Sequence, residues 1–95
     1  MPLTSAYKYK TYSGTAGAAY VTVTFPFSSR WVDIYIFNNP ATIRFQLPDG
    51  TYGDEIVFDP TYTSFPVPLF LQTKGFMIRN TFAALNADYQ IIPNV

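Results

Sequence analysis

The sequence contains neither cysteine nor histidine. No disulfide framework can brace it, so the redox compartment leaves no mark. Thiolate or imidazole sites for zinc, haem or iron–sulfur clusters are excluded, and so are Ser-His-Asp and Cys-His catalysis. Charge is also scarce: 13% of the 95 residues are charged, about half of the roughly 25% usual in a soluble domain. Six basic and six acidic side chains cancel, so no net field points toward nucleic acid or an anionic membrane. No window approaches the ~18–20 continuous apolar residues of a spanning helix. Met1–Ala6 has no basic region followed by an apolar one, and no signal peptide is expected. These absences predict a protein that is not an enzyme and needs no cofactor.

Apolar and aromatic residues are plentiful, at 48% and 19% of the chain, with nine Phe, eight Tyr and one Trp. The length suits one domain spanning residues 1–95. Turn signals recur at Ser13-Gly14, Ser28-Ser29, Asn38-Asn39-Pro40, Pro48-Asp49-Gly50, Asp59-Pro60, Thr73-Lys74-Gly75 and Asn86-Ala87-Asp88. Between them lie short runs of Val, Ile, Phe, Tyr and Thr, residues that fit a pleated, half-buried surface. Thr81–Asn86 could form a helical turn but is too short for a stable helix. The pattern predicts an all-β fold, an antiparallel β-sandwich or jelly-roll-like domain of about seven to eight short strands. An outer-membrane barrel would need eight tilted strands of about 9–11 residues, nearly the whole chain; the prolines at 66 and 68 and the missing export signal argue against it.

Residues 1–19 stand apart. Tyr7, Tyr9 and Tyr12 are spaced by lysines, then Ser13-Gly14-Thr15-Ala16-Gly17-Ala18-Ala19 offers little to pack. This segment is either a first strand at a sheet edge or an extended N-terminal arm that orders against another molecule.

Arg30–Asp59 is the most informative stretch. A hairpin around Asn38-Asn39-Pro40-Ala41 would set Val32 opposite Leu47, Ile34 opposite Phe45 and Ile36 opposite Ile43. A one-residue slip would send the two apolar sets to opposite faces, so the period of two specifies this register. Pro48-Asp49-Gly50 reads as a three-residue loop with glycine left-handed. It would set Gln46 against Tyr52 and Arg44 against Asp54 as a cross-strand ion pair. The expected meander of 31–37, 42–47 and 51–58 has a plain core face of Val32, Ile34, Ile36, Ile43, Phe45, Leu47 and Val57. Its other face carries Trp31, Asp33, Tyr35, Phe37, Arg44, Gln46, Tyr52 and Asp54. Farther on, 65–71 and 76–80 read as a hairpin with Gly75 as a bulge. Pro66 and Pro68 mark the first of these as an edge strand, and Asp88–Ile92 as a last strand.

The acidic residues Asp49, Asp54, Glu55 and Asp59 match no calcium-loop spacing. Asp33 and Asp54 do not rise above an ordinary pair of carboxylates as glycosidase candidates. Gly14-Thr15-Ala16-Gly17 lacks the Gly-Lys-Ser/Thr of a phosphate loop. The aromatic–polar face is therefore the candidate site, and it has three readings. It is covered by a second sheet, in which case Asp33 and Arg44 need buried partners. It meets another protein, since Trp, Tyr and Arg are enriched in interface hot spots. Or Trp31, Tyr35 and Tyr52 form a stacking platform for a carbohydrate. Single-stranded nucleic acid, which also stacks on rings, is disfavoured by the six cations balanced by six anions.

Taken whole, with the turn-dense Trp31–Asp59 and then Lys74-Gly75-Phe76-Met77-Ile78-Arg79-Asn80, the chain resembles the small all-β structural proteins of tailed phages. The resemblance implies a virion component of the capsid decoration or cement type, assembled in the host cytoplasm. Such a protein sits on capsid or other virion protein as an oligomer, often a trimer with other copies of itself. Tail, fibre and adaptor roles suit such a chain equally. No membrane or nucleic-acid partner is expected.

Overall fold

The structure is a computed structural model that describes residues 9–64, 66–82 and 84–95. The described residues form eight strands: β1 (Tyr12–Ala16), β2 (Val21–Thr24), β3 (Trp31–Ile36), β4 (Ala41–Phe45), β5 (Ile56–Phe58), β6 (Val67–Leu69), β7 (Gly75–Asn80) and β8 (Ala87–Asn94). They make two four-stranded antiparallel sheets, β1-β8-β3-β6 and β2-β7-β4-β5, called sheets A and B. β1 pairs with β8, β2 with β7, β3 with β6 and β4 with β5. The chain is thus one long antiparallel ribbon, doubled back between β4 and β5 and wound up so that successive rungs alternate between sheets. That is the double-sheet jelly roll, an antiparallel β-sandwich. The β1–β2, β3–β4, β5–β6 and β7–β8 connections gather at one end of the sandwich, and the other three at the opposite end.

Strict alternation builds the core. Val32, Ile34 and Ile36 of β3 and Tyr89 and Ile91 of β8 point inward from sheet A; Ile43 and Phe45 of β4 and Phe76 and Ile78 of β7 point inward from sheet B. Phe76 joins the layers: its ring lies 5.8 Å from Phe25, 6.5 Å from Phe45 and, edge-on, 6.3 Å from Tyr89. Burying a side chain of this size contributes about 1.5–3 kcal/mol. Two glycines answer to close approach. A Cβ on Gly14 would stand 2.8 Å from the Tyr89 hydroxyl, and one on Gly75 would stand 2.5 Å from the backbone oxygen of Val23.

Several expectations hold. Gly50 is left-handed at φ 93°, the Leu47 amide closes the loop onto the Thr51 carbonyl at 2.6 Å, and Gln46 bridges to Tyr52. The proline-bearing β6 is an edge strand. Tyr12–Ala16 is a strand at the edge of sheet A; residues 1–8 of the expected arm 1–19 lie outside the described residues.

The expected meander is corrected. β3 and β4 do not pair: they lie in different sheets, and Asn38-Asn39-Pro40 carries the chain from one to the other. Val32, Ile34 and Ile36 do share a core with Ile43 and Phe45, but across the sandwich. A period of two tells which face is buried, not which strand lies alongside. Leu47 and Val57, expected in the core, are 39% and 55% exposed, because β4 ends at Phe45 and Val57 faces outward beside Thr42. The Arg44–Asp54 pair does not form. Between the Gln46–Tyr52 bridge and the Ile43–Ile56 pair the register moves by one residue, and Arg44 bonds the carbonyls of Gly53 and Tyr52 at 2.7 and 3.2 Å. Only Ile56–Phe58 of the expected strand 51–58 joins the sheet as a strand. The hairpin of 65–71 with 76–80 is also absent: β6 and β7 belong to different sheets, and Gly75 pairs regularly with Thr24 instead of forming a bulge. Residue 65 lies outside the described residues. Thr81–Asn86 contains a turn closed by the Leu85 amide on the Phe82 carbonyl at 2.9 Å; residue 83 is not described.

Candidate functional site

The eight candidate residues are divided between the two sheets. Trp31, Asp33 and Tyr35 occupy the outward positions of β3, and Phe37 follows them. Arg44 is on the outer side of β4, while Gln46, Tyr52 and Asp54 belong to the loop region that follows it in sheet B. The single aromatic–polar face is therefore corrected to two outer faces pointing in opposite directions, and the platform of Trp31, Tyr35 and Tyr52 is not assembled.

The outer face of sheet A is the candidate site. Its rows follow from the pairing of β8 with β1 and β3. Trp31 lies beside Asn94, whose other neighbour is Tyr9. Asp33 lies between Ile92 and Pro68. Tyr35 lies beside Gln90, which pairs with Ser13. The Phe37 amide bonds the Asp88 carbonyl at 3.0 Å and carries the ladder one step farther. Tyr35 and Phe37 stack nearly parallel, at 6.3 Å and 16°. Phe37 is 58% exposed, Tyr9 72% and Phe70, next after β6, 81%. Among the described residues no second layer covers this face.

Its two carboxylates are hydrogen-bonded within it. Asn94 Nδ2 donates to Asp33 at 3.3 Å. Asp88 accepts from the Thr15 hydroxyl at 2.7 Å and from Asn38 Nδ2 at 3.2 Å. The rest of the face is aromatic surface interleaved with the polar side chains of Ser13 and Gln90. Tyr9, Phe70, Pro68 and Ile92 belong to it and were missed in the sequence. Ile92 could have been found by carrying the alternation of Asp88 and Gln90 onward; Tyr9 and Phe70 could not, since their placement depends on pairings with distant strands.

The outer face of sheet B is different in kind. Tyr20 donates a short hydrogen bond to Glu55, and Arg79 pairs with the same carboxylate at 3.3 Å. The guanidinium also sits 5.4 Å from the centre of the Tyr20 ring. The Tyr20 bond, then Arg79, hold the Glu55 carboxyl below its ordinary pKa. Partial burial first, and the Glu55 acceptor second, push Tyr20 upward. The acidic turn is likewise self-contained: Asp49 accepts from the Thr51 hydroxyl and amide at 2.7 and 2.9 Å, which lowers its pKa. Among the described residues no group of three acidic side chains is placed to hold a metal ion. A pocket of about 130 Å³ lies at one end between Ser28, Leu47, Pro48, Gln72, Thr73 and Lys74, below the ~300 Å³ at which small-molecule clefts begin.

Compared with protein-family models, with curated proteins and with solved structures, the chain matches none.

Proposed function

We propose that this protein is a non-enzymatic structural component of a virion, of the capsid decoration or cement type, which binds and stabilises a larger protein assembly. The observation that carries the proposal is the outer face of sheet A, where Trp31, Tyr35 and Phe37 stand with Tyr9 and Phe70 and no covering layer is described. Large aromatic patches on small domains mark interaction sites. Rigid aromatic anchors carry most of the energy at such interfaces, about 2 kcal/mol or more for each strong one. The jelly-roll winding is in keeping with this, since it recurs in viral capsid domains; it also recurs in lectins, and fold alone does not assign a role.

The test is particle binding. Antibodies against the chain should label purified virions from the source culture, and particles stripped of the protein should rebind it. The double variant Trp31→Ala, Tyr35→Ala should keep its β-sheet circular dichroism and fail to rebind. Absence of the chain from particles, or undiminished rebinding by the folded double variant, would sink the proposal. The near-parallel Tyr35 and Phe37 rings favour a carbohydrate platform as the second reading; selective glycan-array binding that is lost with Tyr35→Ala would put it first.

A further inference from the structure

The four sheet edges are not alike. Sheet A ends in β1 and β6, sheet B in β2 and β5. β6 is three residues long with Pro68 inside it and Pro66 before it. β5 is also three residues, flanked by Asp54, Glu55 and Asp59. β2 has four and stops short of Pro26. Prolines, charges and shortness are the usual means of keeping an edge from pairing with another chain.

β1 has none of these. Its pairing with β8 continues in one register from Ala16 to the Tyr9–Asn94 bridge, so the edge runs for eight residues, Tyr9 to Ala16, without a proline and with Lys10 as its only charge. The Lys10 amide bonds the Pro93 carbonyl at 3.3 Å. Because alternate residues of an antiparallel pair turn their amides and carbonyls to opposite sides, those of Thr11, Ser13 and Thr15 face away from β8. Among the described residues no backbone group meets them, and all three residues are exposed.

We propose that β1 is a dimerisation edge: β1 of two copies pair antiparallel about a two-fold axis, joining two sheets A into one eight-stranded sheet. The unblocked edge is what selects the partner. With one such edge per copy, pairing like to like closes after two chains, whereas two complementary edges would build an open filament. The side chains agree. With the axis at Ser13, Thr11 faces Thr15 and Tyr12 faces Gly14, and antiparallel pairing keeps the two Lys10 ammonium groups at opposite ends, where parallel pairing would set them side by side. The outer faces of the two sheets then run together, doubling the aromatic surface on one side of the dimer. The inference rests on the strand edge and does not depend on the virion role.

The experiment is light scattering coupled to size exclusion on the full chain across a dilution series. The expected mass is twice the 10.7 kDa of one chain. Ser13→Pro removes an amide that β8 does not use, and it should run at the monomer mass with its circular dichroism retained. The cysteine-free sequence allows a second test that does not rely on that variant folding. In the series Thr11→Cys, Ser13→Cys and Thr15→Cys, the position nearest the axis should yield a disulfide-linked dimer under mild oxidation, while Thr24→Cys on the β2 edge should not. A monomer or a trimer throughout the series overturns the proposal. So does a dimer in which none of the three β1 cysteines cross-links.

Discussion

The outer faces of the two sheets come from the same alternation of residues, yet they meet solvent differently. Sheet B turns out Thr22, Thr24, Arg44 and Arg79 with Met77 and the exposed Val57 among them, and its charges are met within the chain by Glu55, Tyr20 and the carbonyls of Tyr52 and Gly53. Sheet A turns out Trp31, Tyr35 and Ile92 among Ser13, Asp33 and Gln90, with Phe37 and Phe70 at its margins. The first face pairs its charges internally. The second carries exposed aromatic rings with no layer over them among the described residues, and it is the face on which the proposed interaction rests.

The largest effect should come from the core on which both faces depend. Phe76→Ala removes the ring that joins the layers and should cost about 3–5 kcal/mol in urea unfolding. Both faces would be lost together, whereas loss of one alone would mean that the sheets are stable separately. Next come the anchors of sheet A. Trp31→Ala should weaken rebinding to particles by tenfold or more, consistent with about 2 kcal/mol per anchor. Arg44→Ala on sheet B should leave rebinding unchanged; equal losses from the two would erase the distinction between the faces. Gly75→Ala forces a methyl against the Val23 carbonyl and should destabilise the protein by about 1–3 kcal/mol, the range for overpacking. Gly17→Ala meets open space and should be mild in the same urea unfolding.

The smallest effect concerns the Glu55 cluster. The folded-state pKa of Glu55 is depressed from an ordinary value of 4.5. Its contribution is therefore present above that value and is lost as the pH falls through the folded pKa. The wild type should show a small drop in Tm across that acidic window, and Glu55→Gln should lack it. An unchanged drop in the variant would assign it to other carboxylates.

Much of this was legible in the residues. Val32, Ile34, Ile36, Ile43 and Phe45 were expected to be buried and are. Gly50 was expected to be left-handed and is, because a three-residue loop opened by Pro48 leaves few other solutions. Trp31, Asp33, Tyr35 and Phe37 do share one face. The error was in their neighbours. Asn38-Asn39-Pro40 turns the chain equally well into a hairpin or across to a second sheet, and in both cases the alternate residues of β3 and β4 go to the core. The pairing of Ile34 with Ile91 leaves no local trace, since its partners are brought together only when the whole ribbon is wound.

Residue pattern was enough for the all-β class, the buried and outward positions of β3 and the buried positions of β4, the loop at Pro48-Asp49-Gly50 and the absence of thiol and imidazole chemistry. These follow from side-chain type and from a period of two, both local properties. Tertiary structure alone decided which sheet each strand joins, and hence that Arg44, Gln46, Tyr52 and Asp54 lie apart from Trp31, Asp33, Tyr35 and Phe37. It also brought Tyr9 and Phe70 to the rim of the aromatic face and left the edge of β1 without a backbone partner among the described residues. The physical reason is that backbone hydrogen bonds between strands are indifferent to side-chain identity. Partners are chosen by how the entire set of apolar faces can be closed against itself, which no single segment specifies.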